Sequence, residues 1–189
     1  IKLIRIACHY HELKKTIEIS KWLKKVGYKV AFNLMQIADR TDDEIEHIGE
    51  IASQYPIDVL YFADSMGGLE TRQISKVISL LRKNWKGNLG IHTHDNMSRA
   101  VVNTQKAIEE GVNWVDGTVM GMGRGPGNAK TEYLVIQYKH LLNRRVNLLP
   151  LLELIEDEFK PLQQKYKWGT NPFYFMAGMY GIHPTFIQG

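Results

Sequence analysis

This sequence predicts an α/β fold made of repeating strand–helix units with parallel strands, and three observations carry the prediction. Apolar, β-rich runs begin again about every 25 to 32 residues, the length of one strand–helix unit. Amphipathic stretches of helical period fill the gaps between them. Runs such as Val59-Leu60-Tyr61-Phe62-Ala63 are apolar on both faces, as in parallel strands covered by helices. Two architectures satisfy this pattern, an open doubly wound sheet and a (β/α)8 TIM barrel. Polar and charged residues gather directly after the strands, which favours the barrel, whose working face is built from those loops.

In chain order, the expected strands are Leu3–Cys8, Lys29–Asn33, Asp58–Ala63, Gly90–His94 and Trp114–Val119. Helices are expected over Leu13–Val26, Asp42–Gln54, Thr71–Asn84 and Ser98–Glu110. Thr41-Asp42-Asp43-Glu44 supplies a cap and early acids, which suit the orphan N–H groups and dipole of a helix start. Gly27 and Gly111 close two helices in the C′ position. The pattern then changes. A glycine-rich loop, Gly121–Gly127, leads into an expected helix over Asn128–Leu142, and another follows over Leu149–Tyr166. The tail from Trp168 to Gly189 is aromatic and too hydrophobic for a disordered end, so it is expected to pack on the barrel or a neighbour. The expected division is a partial barrel over 1–145 and a C-terminal helical extension over 146–189. Five strands leave two readings: a complete five-stranded sheet, or a chain lacking its first three strand–helix units.

Composition narrows the function. The 189 residues are 44% apolar and 23% charged, the proportions of an ordinary globular domain. No run approaches the ~18 apolar residues of a membrane span. Ile1–Ile6 is too short and strand-like for a signal peptide. A single cysteine, Cys8, forms no internal disulfide and fits a reducing, cytoplasmic setting. The net charge of +4 is scattered in pairs such as Lys14-Lys15 and Arg144-Arg145, unlike the clustered patch of a nucleic-acid surface.

Three clusters carry chemistry. His92-Thr93-His94-Asp95 ends a strand, and residues two apart on a strand share a face, so both imidazoles can converge on one ion. The competing reading is a pair of solvated or core histidines. Asp64-Ser65-Met66-Gly67-Gly68 follows another strand; its hydroxyl and backbone N–H groups suit a carboxylate or keto oxygen, or form only a turn and helix cap. The Gly121–Asn128 loop has neither dinucleotide spacing nor a P-loop lysine, and its glycines imply a close backbone approach. Asn128 there is a helix cap or a side chain turned toward a metal. His9-Tyr10-His11 lines the same mouth or is plain loop; His47, His140 and His183 read as helix-face or loop residues. Cys8 has no paired base and reads as a small buried apolar residue.

Together these segments resemble the metal-dependent pyruvate-aldolase and acyl-lyase superfamily of TIM barrels. The resemblance rests on Phe62–Gly68, Gly90–Ser98, Val115–Gly123 and Gly127-Asn128-Ala129, four elements in order and spacing. Within it, Ala63-Asp64-Ser65 and Asn96-Met97-Ser98 are most similar to the hydroxy-oxovalerate aldolases, as is Ala177-Gly178-Met179-Tyr180. The resemblance implies a barrel whose fourth to eighth strands lie here. It also implies a divalent metal (Mn, Mg, Co or Zn) on His92, His94 and Asn128, with His92 also near the substrate. Ser65 would contact the substrate carboxylate and Tyr180 would position substrate or move a proton. It further implies a small 2-oxo acid substrate, a homo-oligomer, and pairing with an aldehyde dehydrogenase. No membrane or nucleic-acid partner is expected.

The implied reaction is cleavage of a 4-hydroxy-2-oxo acid to pyruvate and an aldehyde, or the reverse. Alternatives are an acyl-CoA-dependent Claisen lyase or synthase on the same scaffold, and a non-catalytic aldolase-like subunit. Two departures matter. The family's Arg-Asp pair and the catalytic histidine beyond its first strand have no counterpart here, so these residues alone are expected to be inactive. Asp95 stands where the aldolases often carry a further histidine, and His183-Pro184-Thr185-Phe186 departs from their tail, which suggests a divergent substrate.

Overall fold

A computed structural model of the chain describes residues 1–141 and 145–187, with backbone alone at 139–141 and 184–185. Leu142, the expected last residue of one helix, and the side chain of His140 therefore lie outside the described residues. The chain divides into two compact units that interleave in sequence. One comprises Ile1–Ser65, Leu69–His92 and Lys106–Val115; the other comprises Met66–Gly68, Thr93–Gln105 and Asp116–Gly189.

The first unit is organised on a sheet of five strands: β1 (Leu3–Cys8), β2 (Lys29–Leu34), β3 (Val59–Asp64), β4 (Asn88–Thr93) and β5 (Trp114–Val115). They lie side by side in sequence order, and the pairings run parallel, from Leu3↔Lys29 to Cys8↔Leu34 and from Ala31↔Val59 to Leu34↔Phe62. A doubly wound sheet reverses its strand order at a switch point; this one does not, and steady progression is the order of a barrel wall.

Helices α1 (Tyr10–Thr16), α2 (Ile19–Lys25), α3 (Asp42–Ser53) and α4 (Thr71–Asn84) belong to the same unit. Strand alternation explains its core. Val30, Phe32 and Leu34 of β2 and Leu60 and Phe62 of β3 are buried in one cluster with Leu13, Ile48, Ile74 and Leu81 from the helices and Ile17 from the turn after α1. Each such side chain contributes roughly 1.5–3 kcal/mol by leaving water. The alternate residues Ala31, Val59 and Tyr61 form a second cluster with Leu3 and Trp114.

The expected Leu13–Val26 helix divides in two. Ile17 and Glu18 keep right-handed dihedrals, but the N–H groups of Ser20 and Lys21 bond three residues back, to Ile17 and Glu18. The neighbouring Thr16, Ile17 and Ile19 are β-branched and hold a helix weakly. The cap of α3 forms as expected: Glu44 Oε2 accepts from Thr41 N at 2.9 Å and Thr41 Oγ1 accepts from Glu44 N at 3.3 Å. Gly49 lets α3 approach α4, since a Cβ there would stand 2.7 Å from the Leu81 carbonyl oxygen.

The expected strand over Trp114–Val119 stops being regular after Val115, where the second unit begins, keeping one bridge between Thr118 and Lys130. Met120 turns left-handed at φ 52° and donates its N–H to Glu132 Oε2 at 3.0 Å, which ends the extension. The next helix, α6 (Thr131–Leu141), starts three residues later than expected because Asn128 and Lys130 are held in bridges. Helix α5 (Ala100–Glu109) contributes its first residues to the second unit and its last to the first. The expected Leu149–Tyr166 helix is α7 (Leu149–Leu154), a π-turn at Ile155–Phe159 and α8 (Lys160–Tyr166). Pro161 accounts for the π-turn, as it has no N–H to close the preceding helical ring. The tail forms α9 (Pro172–Tyr180), capped by Asn171, whose Oδ1 accepts from Tyr174 N at 3.0 Å. No described helix is long and apolar enough to cross a membrane.

Candidate active site

The segment after β3 is fixed from two sides. Asp64 is buried, and its Oδ2 accepts from the Leu69 N–H at 3.2 Å, so this carboxylate shapes the turn. Ser65 is half-buried, and its Oγ accepts from the backbone N–H of Gln36 at 2.8 Å. A hydroxyl that accepts in this way keeps its own proton to donate.

At the end of β4, His92 and His94 are both half-buried; the first belongs to one unit and the second to the other. Thr93 between them is buried, its Oγ1 3.2 Å from the Ala100 carbonyl oxygen and 2.9 Å from the Thr104 hydroxyl. Asp95 is buried as well, accepting from the Ala100 N–H at 2.9 Å at the start of α5. Burial raises its carboxyl above the ordinary value, while the Ala100 N–H and nearby Lys130 pull it back. That carboxylate serves the helix start.

His94 forms an antiparallel bridge with Asn128. Asn128 is thus a strand-like residue, and the cap reading is excluded. Its Nδ2 donates to the Met122 carbonyl at 3.3 Å, while its Oδ1 is buried without a hydrogen-bond partner. An orphaned buried amide oxygen is costly unless something accepts its lone pairs. The glycines before it close the loop on itself. Asn128 N donates to the Gly121 carbonyl at 3.1 Å, and a Cβ on Gly127 would fall 2.1 Å from that same oxygen.

Tyr180 ends α9, followed by Gly181 at φ 65°, and is 71% exposed. The Ala177-Gly178 pair before it is buried, and a Cβ on Gly178 would lie 2.8 Å from Met97 Cγ. Cys8 is buried, its thiol pushed up to about 11 by burial and by Glu12, which removes it as a nucleophile. His9, His11, Gln36 and Arg40 line a small pocket beyond β1 and β2. Sequence reasoning missed Gln36 and Arg40; the place of Gln36 two residues past β2 was an available signal, and Arg40 had none.

These residues fit a divalent cation. The His94 imidazole and the unpartnered amide oxygen of Asn128, bridged to it within one unit, suit a borderline or hard ion. Among the described residues no group of three or more His, Cys, Asp or Glu closes a full shell.

The sequence-ordered parallel sheet and the residues beyond its strands define an α/β, partial TIM-barrel-like domain. An HMGL-like family profile matches residues 5–156, and the chain belongs to that family. It is 28% identical over 190 residues to a 4-hydroxy-2-oxovalerate aldolase of Bacillus cereus (strain 03BB102), covering 98% of this chain and 54% of that protein. It is 30% identical over 187 residues to the enzyme of that name from Geobacillus thermodenitrificans (strain NG80-2), with the same coverage of 98% and 54%. The chain thus spans about half the length of these relatives. Among solved structures, the N-terminal domain of a candidate aldolase from Bacteroides vulgatus superposes with a TM-score of 0.92 at 29% identity, over 99% of this chain and 62% of that one. The Bacillus subtilis HMG-CoA lyase superposes with a TM-score of 0.75 at 19% identity, over 94% and 67%, a likeness of fold.

Proposed function

We propose that the chain carries part of the active site of a divalent-metal-dependent aldolase that cleaves a 4-hydroxy-2-oxo acid to pyruvate and an aldehyde. The observation that carries this reading is the His94–Asn128 bridge with Asn128 Oδ1 left orphaned. Aldolase-named relatives at 28–30% identity support it. In this reading His92, His94 and Asn128 hold the metal. When bound, the ion supplies a Lewis acid for the 2-keto oxygen.

The chain's other residues orient the substrate. The Ser65 hydroxyl, fixed by Gln36 N–H, donates its proton to the substrate carboxylate. In this reading His92 also lies near the substrate, and Tyr180 brings a phenol to position substrate or carry a proton. In the step itself the C4 hydroxyl loses its proton, the C3–C4 bond breaks and its electrons pass toward the 2-keto group. The products are an aldehyde and the enolate of pyruvate, which takes a proton at C3 to give pyruvate. A base takes the C4 hydroxyl proton. Pairing with an aldehyde dehydrogenase that consumes the aldehyde belongs to the same proposal.

The test is pyruvate release from a 4-hydroxy-2-oxo acid by the chelator-stripped full-length protein, with Mn, Mg, Co or Zn added back singly. Metal-restored release, lost in His94→Ala, is the expected result. Turnover indifferent to chelator, or turnover of CoA thioesters in its place, overturns the reading.

A further inference from the structure

The first unit holds a pocket of about 150 Å3 beyond the C-terminal ends of β1 and β2, lined by His9, Tyr10, His11, Met35, Gln36 and Arg40. The imidazoles of His9 and His11 stack in parallel, with centroids 5.7 Å apart and planes 7° from coplanar. Parallel stacking does not converge two ring nitrogens on one ion, so the pair is better suited to donating hydrogen bonds than to ligating a metal.

Arg40 is the unusual member. Its side chain is 27% exposed, its guanidinium lies 5.9 Å from the centre of the Tyr10 ring, and its hydrogen bond is a long one, 3.4 Å to Glu44 Oε1. Glu44 is already committed through its other oxygen to the Thr41 N–H. Glu12 of α1, beside His9 and His11, is held by the His9 N–H at 2.9 Å. A mostly buried guanidinium with five donors is therefore left with most of its fork unused, the geometry that takes a carboxylate in two parallel hydrogen bonds.

Gln36 ties this pocket to Ser65. It is held left-handed at φ 55° without being glycine, and in that conformation its N–H reaches the Ser65 hydroxyl at 2.8 Å. Strain of this kind persists where surroundings over-determine it, and here it brings the pocket rim one hydrogen bond from the proposed substrate serine.

We propose that Arg40, with His9 and His11, is a carboxylate subsite for the far end of the substrate, so that the acid cleaved is a 4-hydroxy-2-oxo dicarboxylate. The inference rests on the aldolase reading and deepens it by naming the aldehyde: one that bears its own carboxylate. Gln36 is a positioning residue that keeps the subsite in register with Ser65.

The test condenses pyruvate with 4-oxobutanoate or with uncharged pentanal of similar length, using the metal-loaded full-length protein. A preference for 4-oxobutanoate of about ten-fold or more in kcat/KM is expected, the worth of one charge-assisted hydrogen bond. Arg40→Gln should bring the ratio near one by raising KM for 4-oxobutanoate. Equal use of the two aldehydes, or an unchanged ratio in the variant, overturns the subsite. Should Arg40→Gln not fold, His11→Ala, exposed in the first turn of α1, gives the same reading with a smaller loss.

Unreactive glutarate separates this failure from failure of the aldolase reading. Its titration should shift the His9 and His11 ring resonances in the wild type and leave them in place in Arg40→Gln. Shifts without aldol chemistry keep the subsite and sink the reaction; an absence of shifts sinks the subsite.

Discussion

The ring of Tyr61 on β3 packs over Gly90 on β4, so close that a methyl group on that glycine would stand 2.5 Å from two ring carbons. The glycine is a condition for the tyrosine, and Tyr61 in turn carries the Arg5 guanidinium 4.9 Å from its ring centre. Gly90→Ala is expected to destabilise the fold by about 1–3 kcal/mol, the usual range for forcing extra atoms into a packed core. A drop in the urea midpoint at unchanged m-value is the signature; an unaltered midpoint would show that the ring moves freely.

Asn128→Ala removes the orphaned oxygen together with the Nδ2 bond to Met122. Metal affinity is expected to fall by about ten-fold or more while thermal stability changes little, because the lost amide oxygen was itself uncompensated. Equilibrium dialysis with Mn or Zn against the wild type checks this. Equal metal uptake by the two proteins removes Asn128 from the ligand set.

How much of this was visible beforehand differs residue by residue. The Leu3–Cys8 strand and the Thr71–Asn84 helix match their expected bounds, because apolar period and flanking residues agree there. The strand from Trp114 and the helix from Asn128 were misplaced together: one pair of bridges, His94–Asn128 and Thr118–Lys130, overrode the local preference of both segments. Among the proposed site residues, Ser65, His92 and His94 stand out in the sequence as polar groups after apolar strands. Arg40 was hidden because next to Thr41 and Asp42 it reads as ordinary helix-start polarity. What separates it from other surface arginines is its burial and lack of strong partners, which only coordinates reveal.

Asp58 links the start of β3 to β2. Burial alone would raise its carboxyl, but the Val30 N–H at 2.7 Å and the Lys24 ammonium at 2.9 Å more than offset this, and it titrates below the ordinary value. A carboxyl depressed in the folded state contributes stability that is present above its unfolded value and is lost as pH falls through the folded one. Stability is therefore expected to decline below about pH 4, and Asp58→Asn should flatten that part of the curve. A denaturation series from pH 7 to 3 tests it; identical slopes for both proteins would assign the acid sensitivity elsewhere.

Cys8, with its thiol pushed up to about 11 inside the core, should resist alkylation at pH 8 in the native protein and react promptly once unfolded. Fast native labelling would mean that the end of β1 opens readily.

The glycine loop before Asn128 has a thermodynamic consequence. Because Gly121 and Gly127 press the chain back on itself and the Gly121 carbonyl already accepts from Asn128 N–H, the amide oxygen is held in place before anything reaches it. A cation captured there would lose little affinity to freezing a floppy segment. Its capture should be fast and enthalpy-led, with hydrogen exchange at Gly121–Asn128 nearly the same before and after binding.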